Sequence, residues 1–261
     1  MAGALAIIGA VGVGVYVAEL GKRPTTELRA TANPQPAAAP AEPAIQHPID
    51  KAVSGTDADA AALPPLDQSD AAVVDALAAM FGAEGLSSLL NPEHVIPRIV
   101  ATVDSLPRKK LAADVLPVRT AQGAFEVRRS GDRAEIDARN FARYDAYARI
   151  ARAIDAKKLV AWYARYYPLF QQSYRELGYP DGYFNDRLVF VIDHLLATPD
   201  VAQPVALMQP SVMYEYADPT LESRSAGQKL LLRAGPDNEA AIKAKLREIR
   251  SALTGESLPA G

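Results

Sequence analysis

Read as apolar and polar positions, the chain changes character twice. Ala2 to Ala18 is an unbroken uncharged run, closed by Glu19 and followed by Lys22 and Arg23. At about 1.5 Å rise per residue a helix of this length spans roughly 26 Å, at the short end for crossing a bilayer. From Gly21 to Pro65 bulky aliphatic residues become sparse, and eight of the 20 prolines fall here among alanines and scattered acids. Such a stretch cannot bury enough apolar area to offset its chain entropy. From Leu66 onward apolar positions recur at helical spacing, which marks a folded body.

Within that body the pattern predicts individual elements. Ser69 is placed to cap a helix carrying Val73, Val74, Leu77, Met80 and Phe81, and a short helix is expected over Glu84 to Leu90. Asn91-Pro92-Glu93 reads as the start of a helix with Ile96, Ile99, Val100 and Val103, and His94 as a surface or cap residue. Gly123 to Asp137 reads as a hairpin turning at Ser130-Gly131-Asp132. Helices follow over about Asn140 to Ile154 and Ala156 to Leu177, where Trp162, Tyr166 and Phe170 share one face and Pro168 is expected to kink the rod. Tyr179-Pro180-Asp181-Gly182 has type I turn residues. Asn185 then caps a helix through Leu196. Short strands are expected around Val205 to Leu207 and Val212 to Tyr216. Asp218-Pro219 opens a helix to Arg233, and a last one follows Gly235, with Ile242, Leu246, Ile249 and Leu253 inward and Lys243, Lys245, Arg247 and Arg250 on a solvated face.

The expected architecture is predominantly α. A helical body of about six to eight helices with a small β-hairpin and short-strand element (66–254) follows a transmembrane helix (1–20) and a disordered Pro/Ala-rich linker (21–65), and a short disordered tail (255–261) ends the chain. Ala10, Gly14 and Ala18 form a small-xxx-small face through which two anchors could pair as a homodimer. Gly9, Gly12 and Gly14 do not have dinucleotide-loop spacing. No basic n-region marks a signal peptide. Lys22, Arg23 and Arg29 favour a cytoplasmic body, whereas anchor plus tether is the plan of a protein facing the periplasm. The expected location is a bacterial inner membrane with a periplasmic body, the cytoplasmic side standing as the alternative.

Composition narrows the chemistry. Zero cysteine removes disulfides, thiol nucleophiles and Cys-ligated metals. Three histidines, at 47, 94 and 194, leave little for a metal site, and His47 is expected to be solvated. A net charge of -3, and near neutrality in the body, argues against nucleic acid as partner. No nucleophile-elbow, P-loop, His-Glu-x-x-His or Ser-x-x-Lys motif is present, so no catalytic residue, metal or cofactor is expected.

Thirteen of the 18 aromatic residues lie between Phe141 and Phe190. Trp162, Phe170 and Phe190 are expected in the core, and Tyr179, Tyr183, Tyr214 and Tyr216 toward solvent. The densest polar group is Tyr179, Asp181, Tyr183, Asn185, Asp186, Arg187 and His194, with Asp193 beside it. These seven residues are the candidate binding site, though a turn, a cap and an Arg187 salt bridge would explain them structurally. Asp186 and Asp193, seven apart on a helix, sit about 10 Å apart along the axis, too far for a retaining glycosidase pair.

The run Gly-Tyr-Pro-Asp-Gly-Tyr-Phe-Asn-Asp-Arg (178–187), with the flanking sequence from Tyr163 to Leu246, resembles a bacterial family known as domain of unknown function 3014. The resemblance covers about Leu66 to Leu253. It implies an N-terminal membrane segment, a Pro/Ala-rich stretch and this body, and it implies no activity. The expected function is a single-pass membrane-anchored envelope protein whose tethered domain binds another envelope component, most simply a protein. The alternative is an enzyme acting on cell-wall or glycan substrates through the Tyr179 to His194 region.

Overall fold

The computed structural model describes residues 44–52, 62–82 and 89–256. The expected anchor, most of the linker, most of the helix over Glu84 to Leu90 and the last residues of the tail lie outside them. Among the described residues no helix is long and apolar enough to cross a membrane.

Eight α-helices are formed by the described residues: α1 (Asp70–Phe81), α2 (Val95–Ser105), α3 (Asp145–Ala153), α4 (Ala156–Glu176), α5 (Phe184–Leu196), α6 (Pro219–Glu222), α7 (Ala226–Ala234) and α8 (Pro236–Thr254). A four-stranded antiparallel sheet runs in chain order through β1 (Val127–Ser130), β2 (Arg133–Ile136), β3 (Ala206–Met208) and β4 (Glu215–Tyr216). Gly131, at φ 58°, takes the first position of the two-residue turn that sets Val127 opposite Ile136.

Burial of aromatic and aliphatic stripes drives the packing. On α4, Trp162, Tyr163, Tyr166, Tyr167 and Phe170 are all buried. Phe170 stacks on Phe184 of α5 at 5.8 Å and meets Tyr163 edge-on at 5.2 Å, geometries that aromatic quadrupoles favour. α2 lies against α4 and α5, and α8 against α3, α4, α5 and α7. A second apolar cluster, including Ile136, Val205, Leu207, Tyr216 and Leu232, joins the sheet to α6 and α7. α4 continues through Pro168, which is exposed; on that side water can reach the helix and replace the N–H that proline lacks as donor to the Ala164 carbonyl.

Helix starts depart most from expectation. Ser69 makes no side-chain cap; its hydroxyl donates back to the Leu66 carbonyl. α2 begins at Val95, and its cap comes from another helix: the Asp70 carboxylate accepts from the backbone N–H of His94 (2.6 Å) and Val95 (2.8 Å). A negative charge at a helix N-terminus is worth several tenths of a kcal/mol beyond the hydrogen bonds. The helix expected from Asp218 to Arg233 is divided, because Ser225 starts α7 afresh by capping Gln228 N–H. Phe190, expected in the core, is 52% exposed, and Tyr216, expected outside, is buried. Lys243 and Lys245 are buried as well, each reaching a backbone carbonyl, of Thr198 and Ile154 respectively.

Candidate functional site

The turn between α4 and α5 carries most of the candidate residues, and one buried side chain sets it. Gln171 donates to the Gly182 carbonyl (2.7 Å), while its Oε1 accepts from Phe184 N–H and the Tyr167 hydroxyl, both at 2.9 Å. The turn passes close to α4: a Cβ on Gly182 would lie 2.7 Å from the Tyr174 ring. Burial, ahead of the Tyr183 hydroxyl, pushes the Tyr167 phenol far up, so it stays a neutral donor.

Six of the seven candidate residues divide three ways, and the seventh, Asp181, only lines a cleft. Tyr183, Asn185 and Asp186 hold the chain's own segment 46–49. The Asp186 carboxylate accepts from Gln46 N–H (3.0 Å) and His47 N–H (2.7 Å), the Tyr183 hydroxyl accepts from Ile49 N–H (2.9 Å), and Asn185 donates to the His47 carbonyl (2.8 Å). Asn185 is therefore no cap. It binds a backbone carbonyl from a stretch that composition assigns to the linker, and His47 is half-buried there.

Tyr179 and Arg187 converge instead on Asp104 of α2. Tyr179 Oη donates to Asp104 Oδ2 at 3.2 Å, Arg187 Nη2 lies 3.0 Å from Oδ1 and donates to the Asp104 carbonyl at 2.8 Å, and Arg108 also pairs with the carboxylate. Nothing in the local pattern around Asp104 announced this role.

His194 stands apart from both groups. Its Nε2 is 2.8 Å from Ser225 Oγ, and its ring stacks 6.3 Å from Phe190. Burial, then the charges of Arg187 and Arg224, hold its pKa below the ordinary histidine value. The unfolded imidazole titrates near 6.5, so below that pH the unfolded chain binds more protons and folding stability falls. The denaturation midpoint is therefore expected to drop as pH falls through the window just under about 6.5, and His194→Gln to flatten that part of the curve.

Between the turn and α5 lies an open cleft of about 500 Å³, lined by Ile45, Arg175, Asp181, Tyr183, Arg187 and Phe190 among others. Phe190 projects at its edge, with the Arg187 guanidinium 5.3 Å from its ring, a cation–π contact that steadies both side chains.

Asp186 is occupied by backbone donors and Asp193 by Arg250 at 2.5 Å, and among the described residues exposed Asp181 has no acid or base partner. The Ser225–His194 pair has the spacing of a nucleophile and base. However, the adjacent N–H groups of Ala226 and Gly227 already donate to the Arg108 and Leu106 carbonyls, so no backbone oxyanion hole forms beside it. Among the described residues no group of three or more His, Asp or Glu could hold a metal ion.

Fold and site together define a mainly helical body with a small antiparallel sheet and an open cleft beside the turn between two helices. Residues 95–250 match the family described as Protein of unknown function (DUF3014), and the chain belongs to that family. No curated protein and no solved structure matches the chain.

Proposed function

We propose that this protein is a membrane-anchored docking module, held by the apolar run Ala2 to Ala18, whose body binds a protein partner of the bacterial envelope at the cleft beside Phe190. One observation carries the reading: a large aromatic, 52% exposed, is braced by Arg187 on one side and His194 on the other at the edge of an open cleft. Aromatic and arginine side chains that are rigid before binding lose little entropy on contact and dominate interface energetics. Arg175 and Arg187 at the cleft favour a partner that presents an apolar side chain flanked by a carboxylate. Next to the cleft, Tyr183, Asn185 and Asp186 already hold backbone N–H and C=O groups of residues 46–49, a bend that leads into the 3-10 turn at Ile49, so this face has donors and acceptors suited to a peptide backbone. The periplasmic side suits the anchor-and-tether plan, and a reporter fused to the C-terminus assigns the side.

The glycan-active alternative draws no support from the arrangement, because Asp186 and Asp193 are committed to backbone and arginine donors, which leaves Asp181 without a second carboxylate to work with. Photo-crosslinking in intact membranes tests the docking reading. A photoreactive residue at position 190 of the full chain is expected to give a discrete adduct with one partner, and one at exposed Val212 is not. Phe190→Ala should weaken the isolated complex by at least about 2 kcal/mol. Equal adducts at both positions, or none at 190, would refute it. A full-length chain that fractionates as soluble would refute the anchor.

A further inference from the structure

A second cleft, of about 530 Å³, is lined by Lys109, His194, Thr220, Arg224 and Ser225 among others. Among the described residues no carboxylate lines it. The acids on the flanking elements are engaged elsewhere: Asp218 accepts from Thr220 N–H (2.8 Å), Glu222 from Lys229 (2.5 Å) and Tyr216 N–H (3.0 Å), and Asp193 from Arg250. The half-buried Arg224 guanidinium makes no hydrogen bond or ion pair among the described residues. Arg224 acts only through its field, which reaches Asp218 and His194. Lys109 uses one N–H on the Ser223 carbonyl and keeps two. With Nε2 of His194 on Ser225, the second ring nitrogen is left for a guest.

The first N–H groups of α7 cannot serve here, being bound to the Arg108 and Leu106 carbonyls and to Ser225 Oγ. Whatever binds is held by side chains that line the cleft from different elements: a planar guanidinium fork, an ammonium and an imidazole. A carboxylate brings one charge and two oxygens to these groups, whereas a phosphate monoester brings three outer oxygens and close to two charges, the better match to a guanidinium and an ammonium together. We infer that this cleft binds a phosphate ester group, with Arg224 and Lys109 as its charged contacts and His194 beside them. The group could belong to a soluble phosphate monoester or to a lipid headgroup; its charged contacts, Arg224 and Lys109, take no part in the Phe190 contact proposed above, and only His194 borders both.

The chain has three histidines, so ring-labelled histidine resolves the test in the full-length protein in detergent micelles. Inorganic phosphate is expected to move the His194 resonances saturably, with a dissociation constant on the order of 1 mM, and to raise the pKa of that ring. The rings of His47 and His94 stay put as internal controls. Arg224→Gln should weaken the response about tenfold or more. Its fold is checked by an unchanged thermal transition, and the wild-type titration decides the matter if that variant is unstable. Three histidines moving together, no saturable shift, an equal response to acetate at matched ionic strength, or an Arg224→Gln response equal to wild type would each overturn the inference.

Two further arms assign the source. A response to glycerol 3-phosphate identifies a soluble ester. A His194 shift seen only in phosphatidylcholine vesicles that contain phosphatidic acid identifies a headgroup. Failure of both arms would overturn the site even if inorganic phosphate binds.

Discussion

Asp104→Ala is expected to destabilise the body by about 3–5 kcal/mol, read from denaturant unfolding of the full chain. The Asp104 side chain is only 3% exposed, and it compensates an Arg187 side chain that is 25% exposed. Removing the carboxylate leaves that guanidinium half-desolvated, with its Nε already lacking a partner, and strips the Tyr179 hydroxyl of its acceptor. An uncompensated buried charge costs far more than the pair contributed, which is why one-sided removal is severe. The comparison is Glu135→Ala, which breaks the exposed pair with Arg128 and should cost about 0.5 kcal/mol or less. Arg108→Ala should also be mild, since that side chain is 56% exposed. The effect reaches the cleft, because Arg187 braces Phe190: partner adducts at position 190 should weaken in Asp104→Asn even where that variant stays folded. A loss below about 1 kcal/mol in Asp104→Ala would show that the carboxylate is not the keystone of the α2–α5 contact.

What could be read from the chain was what depends on residues close together in it. The stripe Trp162, Tyr166 and Phe170 requires only the helical period, and all three are buried in α4 as that period demands. The hairpin at Gly131 required only local turn chemistry. The failures share the opposite property. Asn91 and Asn185 have the right residue type for caps, yet the donors at the start of α2 are met by Asp70 from 24 residues away, and Asn185 is drawn to His47 from 138 residues away. No propensity rule weighs a local cap against a distant partner.

The candidate site shows the same division. Proximity in sequence gathered Tyr179 to His194 into one constellation, whereas the fold separates them onto Asp104, the 46–49 segment and Ser225. Helical geometry sets Arg187, Phe190 and His194 on one stripe of α5, three and four residues apart, and turns Asn185 and Asp186 to other sides. The residues that organise them, Gln171, Asp104 and Ser225, have ordinary local contexts. Phe190 is exposed despite its apolar ring, because the rule that puts apolar residues inside holds in one direction only.

Lys243→Met is expected to lose about 3–5 kcal/mol at neutral pH and to regain part of it on acidification, the reverse of ordinary acid unfolding. Lys243 is 6% exposed and lies 2.6 Å from Glu239, itself 7% exposed, while donating to the Thr198 carbonyl at 2.7 Å. Its third partner, Asp200, is 96% exposed and contributes little. Burial already holds the Glu239 carboxyl above its ordinary value, with Lys243 as the opposing pull. Without the ammonium that pull disappears and the folded-state value rises further.

A carboxyl raised in the folded state takes up its proton at a higher pH there than in the unfolded chain, so protonation favours folding. The deficit of the variant should therefore be greatest above the folded value and shrink as pH falls toward about 4.5, where unfolded glutamate titrates. Lys243→Met with Glu239→Gln removes both charges and should recover most of the loss without the pH dependence, leaving the cost of one carbonyl without a donor, about 1–3 kcal/mol. A deficit in the single variant that stays constant from neutral pH to about 4.5 would mean that Lys243 acts through Thr198 and packing, and that Glu239 carries no charge in the folded protein.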